Sequence, residues 1–428
     1  MDEAETGSPF AADAAVVGLG RVGLPLALTL ADRGLRVIGV DRDEARLRTI
    51  GEKKMPFAER GAEQILPKVI EQRSLTLSKH VTSAAGARHI VLTIGTPSFS
   101  HIEIDMRDIR SALDDLSSVL RVGHCLILRS TVAPGTTEFA AGYLEKRRGF
   151  SIGREVFVAH VPERIAAGRF LEEIDLLPCI VGGVGERSGE VAAELFGCFA
   201  ARIVQTSPVE AELAKIWTNI FRYANFALPN LLMMDCERHG ANVFEVIELI
   251  NRDYPRGGIA KPGLTGGTCL RKDFAFSEER SNAPGMLLAV SRVNESVPLF
   301  LLEGAKRRLG GLSGRKVAVL GLAFKADTDD ERDSLSHKLI RLLERELADV
   351  AVHDPHVESA TVSLEEALQG ADAVFVATNH SETRHEEVLR EIAALCGGDC
   401  LVIDPWDCWG AQTVFACASE LLGTALAA

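Results

Sequence analysis

Residues 14–41 read AAVVGLGRVGLPLALTLADRGLRVIGVD. A short run of small and β-branched residues ends in Gly18-Leu19-Gly20-Arg21-Val22-Gly23. An apolar helix-period stretch follows, and RVIGVD (36–41) closes the unit on Asp41. Strand, glycine turn, helix and strand make a βαβ unit. In that setting the three-glycine spacing, with an acid ending the second strand, is a dinucleotide fingerprint. Gly18 allows the tight turn, Gly20 lets the backbone approach a pyrophosphate, and Gly23 lets helix and strand pack closely. The phosphates would lie at the helix N-terminus. Asp41 would accept hydrogen bonds from the adenosine ribose and repel a 2′-phosphate, so NAD is favoured over NADP; Arg42 beside it pulls weakly the other way.

Outward from this unit the alternation continues. HIVLTIG (89–95), CLILRST (125–131) and EVFVAHVP (155–162) read as buried strands, and CIVGGV (179–184) and RIVQTS (202–207) extend the sheet. From 208 to about 252 no strand signal appears. Here 207–240 reads as one long, mostly apolar helix, with a bend expected near Pro229. RGGIAKPGLTGGTC (256–269) interrupts, and a second helical region runs to about 309. Strands then return in KVAVLGLAF (316–324), DVAVHDP (349–355) and ADAVFVATNH (371–380), which resemble the first, second and third strand segments of the chain. The expected fold is α/β: two doubly wound Rossmann-like parallel-sheet domains joined by a central helical domain. Its divisions are a tail at 1–12, a dinucleotide-binding domain at 13–207, a helical middle at 208–305 and a C-terminal Rossmann-like domain at 306–428.

Composition agrees with an ordinary globular chain. The 428 residues carry 47 Lys and Arg against 60 Asp and Glu, a net charge of −13, and 46% are apolar. Such an excess of acid argues against a phosphate-tracking nucleic-acid surface or a polybasic membrane anchor. No apolar run reaches the length of a spanning helix. The opening MDEAETGSPF lacks the basic and apolar regions of a signal peptide, so a cytoplasmic location is expected. The nine cysteines are irregularly spaced, as for reduced thiols, and no metal is expected.

Three further groups carry chemistry. In Gly266-Gly267-Thr268-Cys269-Leu270-Arg271-Lys272-Asp273 a thiol follows a glycine-rich loop, with cations and a carboxylate behind it. At a helix start such a thiol would favour the thiolate and could serve as a nucleophile. Glu212, Lys215 and Asn219 lie on one helical face, where they could hold an oxyanion and its proton traffic or form only a surface Glu212–Lys215 pair. The C-terminal counterpart of the glycine turn, Gly321-Leu322-Ala323-Phe324-Lys325, has lost two glycines and gained a lysine, with Arg332 beyond. That exchange suits a phosphate-bearing ligand rather than a second dinucleotide.

These residues resemble the nucleotide-sugar 6-dehydrogenase family, the UDP-glucose, GDP-mannose and UDP-N-acetylhexosamine dehydrogenases. The resemblance runs from about 13 to 410 through GLGRVGLPLA (18–27), GTP (95–97), STVAPGTTE (130–138), PER (162–164), AELAKIWTN (211–219), GLTGGTCLRKD (263–273), GLAFKADTDDERDS (321–334) and ATNH (377–380). It implies a four-electron oxidation at C6 of the sugar with two NAD, through a thiohemiacetal and a thioester on Cys269. It further implies that Lys215 and Asn219 stabilise oxyanions and that Asp273 orients Asn219 or water. Glu163 and Thr131 would lie near the water and the nicotinamide. Gly18, Gly20, Arg21, Val22, Gly23, Asp41, Arg42, Thr96, Pro97, Lys272 and Arg332 would contact the cofactor. Gly266, Lys325 and Arg256 would contact the nucleotide sugar, Arg256 from the neighbouring subunit of a homodimer.

Ala167 stands where the UDP-glucose class carries a second glutamate, and the PER and PRxxIxxPG forms look more like the N-acetylhexosamine class. The Lys272-Asp273 pair looks more like the glucose class. UDP-glucose is placed slightly ahead as substrate, with a UDP-N-acetylhexosamine as the alternative. A two-electron hydroxyacid dehydrogenase would have no use for Cys269 or the third domain. An inactive NAD-binding regulator would have no use for Cys269, Lys215, Asn219 and Asp273 together.

Overall fold

The computed structural model describes residues 9–94, 107–166, 168–278, 285–358 and 361–425. Thr96, Pro97 and Ala167, each named above, lie outside them. The residues fall into two compact units that divide within one helix, between Thr218 and Asn219, and a short stretch around 275–279 groups with the first.

The first unit is built on eight strands: β1 (Ala12–Val17), β2 (Val37–Val40), β3 (Leu75–Ser78), β4 (Ala87–Leu92), β5 (Cys125–Leu128), β6 (Phe157–His160), β7 (Cys179–Gly183) and β8 (Ile203–Thr206). Their order across the sheet is β3-β2-β1-β4-β5-β6-β7-β8, and β1 pairs in parallel with β2 and β4. The order reverses at β1, which makes the crevice beyond the ends of β1 and β4 the expected ligand site. Successive residues of β1 serve opposite faces. Ala14 and Val16 join one buried cluster with Leu24 and Leu28, and Ala15 and Val17 join another with Leu113 and Leu144. Both faces are covered, which is why these strands read as unbroken apolar runs.

The second sheet has β9 (Lys316–Leu320), β10 (Asp349–His353), β11 (Ala373–Val376), β12 (Leu401–Ile403) and β13 (Phe415–Cys417), ordered β10-β9-β11-β12-β13. Val317 and Val319 pack with Met233, Phe244 and Leu301 from the middle of the chain, and Ala318 and Leu320 face Leu368 and Leu389. The central helices from Asn219 onward therefore share a core with the C-terminal sheet.

The structure corrects the sequence reading in two places. Neither sheet is wholly parallel, since β6–β7 and β12–β13 pair antiparallel. Strands β3, β12 and β13 were not anticipated; β3 is an edge strand with only its first residue buried, and β12 and β13 are three residues each, too little for a periodicity signal. The long helix expected over 207–240 is Pro208–His239, and a second helix, Val243–Asn251, follows it. Asn242 caps the second by accepting a hydrogen bond from Phe244 N–H, with Gly240 in a left-handed turn just before it.

Candidate active site

In the first unit the glycine turn has the form its spacing predicts. Gly18 has φ +99°, and a Cβ at Gly23 would stand 1.8 Å from the Gly18 carbonyl oxygen. A Cβ at Gly20 would meet nothing within 4 Å, so the backbone there is open to approach. No side chain caps the Gly23–Asp32 helix, so the positive end of its dipole is open to an anion. These residues fit a dinucleotide.

Asp41 is buried. Its Oδ2 accepts from Leu19 N–H at 2.7 Å and from Arg46 Nη1 at 2.8 Å, and its Oδ1 accepts from Asp43 N–H at 2.9 Å. Burial alone would raise its pKa, but these donors outweigh it and hold the carboxyl below its ordinary value. Arg46 supplies an ion pair to Asp41. Sequence reasoning missed it because Arg46 lies five residues on, inside the next helix.

Thr131 is in the loop after β5, and Glu163 follows β6. Glu163 Oε2 pairs with Arg129 Nη2 at 2.5 Å, and its Oε1 accepts from Arg164 and Ile165 N–H at 2.7 Å each. Arg129 is itself buried, and its guanidinium lies over the Phe196 ring. Burial pushes the pKa of His160, three residues before Glu163, down to about 3, with the charges of Arg129 and Lys215 acting in the same direction. Neither of its ring nitrogens meets a hydrogen-bond partner among the described residues. Arg129 and His160 carry no motif signal.

Glu212 takes neither of the roles its spacing suggested. It is fully buried and accepts from Gly135 N–H at 2.6 Å, Thr137 N–H at 2.8 Å and Thr137 Oγ1 at 2.5 Å. It thereby clamps the first turn of the Thr136–Arg148 helix, at the end of the loop that carries Thr131. Burial raises its pKa against these donors. Among the described residues it makes no ion pair with the partly buried Lys215, one turn along the same helix.

In the second unit Cys269 is exposed in the first turn of the Thr268–Glu278 helix. One turn on, the buried Asp273 Oδ2 accepts from Asn219 Nδ2 at 2.5 Å. Arg332 donates twice to Asp330, at 2.8 and 2.7 Å. That pairing is the main cause of its raised pKa, and the charge of Cys269 adds to it, so the guanidinium stands within electrostatic reach of the thiol. Lys272 and Lys325 are both partly buried, and Arg256 is exposed with its Nε donating to Tyr254 Oη at 2.9 Å.

The glycine loop is fixed by close approach: Gly267 has φ +91°, and a Cβ there would strike the Phe324 ring at 2.6 Å. Gly267 N–H donates to the Asp333 carbonyl, which ties the Gly266-Gly267 turn to the Arg332 segment. Sequence reasoning missed a buried amide chain that holds the loop's start. Asn230 accepts from Gly263 N–H and donates to Asn294, which donates to the Tyr223 carbonyl.

The C-terminal turn repeats the first. Asp354, at the end of β10, accepts from Leu322 and Ala323 N–H as Asp41 does from Leu19, and His380 Nε2 lies 3.1 Å from it. Burial would raise the Asp354 pKa, but His380 and the two N–H donors hold it far below the usual carboxylate range.

A chain that carries a doubly wound dinucleotide unit, a second Rossmann-like sheet with a glycine-poor turn, and an exposed helix-start thiol defines a class of dehydrogenase. Three family models match in chain order: the UDP-glucose/GDP-mannose dehydrogenase family NAD binding domain at 12–200, its central domain at 209–296 and its UDP binding domain at 318–411. The chain belongs to this family of nucleotide-sugar dehydrogenases, and its NAD-binding domain makes NAD the cofactor. It is 34% identical to UDP-N-acetyl-D-mannosamine dehydrogenase of Pyrococcus horikoshii, over 86% of this chain and 89% of that one. It is 30% identical to NDP-N-acetyl-D-galactosaminuronic acid dehydrogenase of Ralstonia solanacearum, over 94% and 97%. The solved UDP-N-acetyl-mannosamine dehydrogenase of Staphylococcus aureus superposes with a TM-score of 0.84 at 27% identity, covering 96% of this chain and all of that one.

Proposed function

We propose that the protein oxidises C6 of a UDP-N-acetylhexosamine to the uronate, with Cys269 as covalent nucleophile. The names of the relatives above favour an acetylated amino sugar over the UDP-glucose that the sequence motifs placed slightly ahead. The observation that carries the mechanism is the exposed Cys269 in a helix first turn, one turn from a buried Asp273 bonded to Asn219. NAD, when bound, accepts a hydride in each of two oxidations. Between them the Cys269 thiolate adds to the C6 aldehyde, forming a carbon–sulfur bond while the carbonyl oxygen takes a proton. The second oxidation leaves a thioester. Water then adds at the acyl carbon, the carbon–sulfur bond breaks, and the thiol takes back a proton.

Asn219, held by Asp273, and Lys215, one turn before it, are assigned to the oxyanions. Thr131 and Glu163 are assigned to the nicotinamide and water, Lys272 and Arg332 to the cofactor, and Gly266 and Lys325 to the nucleotide sugar. The protein is proposed to act as a homodimer in which Arg256 enters the neighbour's site. Leu213, Trp217, Phe221, Leu228 and Leu231 support this, being exposed at helical spacing along the Pro208–His239 helix.

A panel of UDP-N-acetylhexosamines, UDP-glucose and GDP-mannose, read by NADH formation and product mass, tests the reading. An N-acetylhexosamine should give the highest kcat/KM, with its product gaining one oxygen and losing two hydrogens. UDP-glucose turning over better than every N-acetylhexosamine would reverse the choice of sugar.

A further inference from the structure

The second unit contains a cavity of about 310 Å³ whose walls include Arg271, Glu295, Ser334, Lys338, Arg341 and Arg345. Four cations and one carboxylate line it, in a chain whose acids outnumber its bases by 13. Lys338, Arg341 and Arg345 stand three and four residues apart on the Ser336–Arg345 helix, so they share a face. Like charges at that spacing repel. Glu295 offsets only part of the repulsion, meeting Arg271 Nε at 2.6 Å and Lys338 Nζ at 3.2 Å. Arg341 and Arg345 have no ion-pair partner among the described residues.

The walls are preformed. Arg271 is held between Glu295 and Asp333, and the Asp333 carbonyl is fixed by Gly267 N–H at 3.1 Å. Lys338 Nζ also donates to the Glu295 carbonyl at 2.7 Å. Guanidinium forks match phosphate oxygens in pairs, and the volume exceeds that of a bare ion, falling in the range of small-molecule sites.

We propose that this cavity binds a phosphate-bearing small molecule, with Lys338, Arg341 and Arg345 taking the phosphate oxygens and Arg271 and Ser334 at its inner wall. The proposal does not rest on the dehydrogenase reading. Its test is calorimetric titration of the full chain with inorganic pyrophosphate, in saturating NAD and UDP so that phosphate subsites for those ligands are filled.

One pyrophosphate per chain is expected, bound at least about tenfold more weakly by Arg341→Gln/Arg345→Gln. Both arginines are exposed on a helix surface. Arg345→Gln alone should show a smaller loss in the same direction if the double variant melts early. Binding that vanishes when NAD and UDP are present would overturn the proposal, as would binding in the folded variants equal to that of the unaltered protein.

Discussion

An exposed thiol in the first turn of a helix sits where the backbone dipoles favour a thiolate, and the Arg332 guanidinium adds to that field. Cys269→Ser keeps the shape and replaces the nucleophile with a far weaker one. Uronate formation should fall by at least about a thousandfold while NAD and nucleotide-sugar binding persist in titrations; near-normal turnover would rule out Cys269 as the nucleophile. At the other end of the chemistry, Asp41 is locked by Leu19 N–H and Arg46. Asp41→Ala should cut kcat/KM for NAD about tenfold and narrow the preference over NADP, because the released Arg46 can then meet a 2′-phosphate. An unchanged ratio of the two constants would set this reading aside. Gly18, Gly23 and Asp41 were legible in the sequence because they belong to one βαβ motif, and Cys269 because a glycine-rich loop leads into it. Arg46 was not, since no motif position marks it, and neither was Arg129, whose partner Glu163 lies 34 residues away beyond the next strand.

Elements whose signal is local and periodic were read correctly, and those that depend on distant partners were not. The β1 and β9 strands could be found because burial on both faces makes them uniformly apolar, whereas β3 is a half-exposed edge strand and β12 and β13 have only three residues each. The helix of Glu212 was found, but its purpose was misread: spacing alone offered Lys215 as partner, and the fold instead spends the carboxylate on Gly135 and Thr137. Glu212→Ala would leave three donors unpaired in a buried place, so chemical denaturation should show a loss of about 2–4 kcal/mol. A change below about 0.5 kcal/mol would mean that water replaces the carboxylate there without cost.

At the scale of the whole molecule the chain repeats one design with two outcomes. Gly18 with Asp41 and Gly321 with Asp354 build the same turn. The first keeps the glycines that admit a pyrophosphate, while the second replaces them with Ala323 and Ala326. That repeat was visible in the sequence. The sharing of a core between the central helices and the C-terminal sheet was not, since it depends on contacts such as Phe244 and Leu301 with Val317 and Val319. The exposed apolar stripe of the Pro208–His239 helix and the exposed Arg256 bear on assembly. An Arg256→Ala chain mixed with a Cys269→Ala chain should recover activity in verified heterodimers, because one composite site then has both residues. No recovery would confine Arg256 to its own chain.

The central claim, two oxidations joined through a Cys269 thiohemiacetal and ending in a thioester, is tested most directly by electron count. With a limiting, weighed amount of UDP-N-acetylhexosamine and excess NAD run to completion, NADH absorbance should settle at two equivalents per sugar, with the uronate as sole product. One equivalent, with an aldehyde as the product, would contradict it.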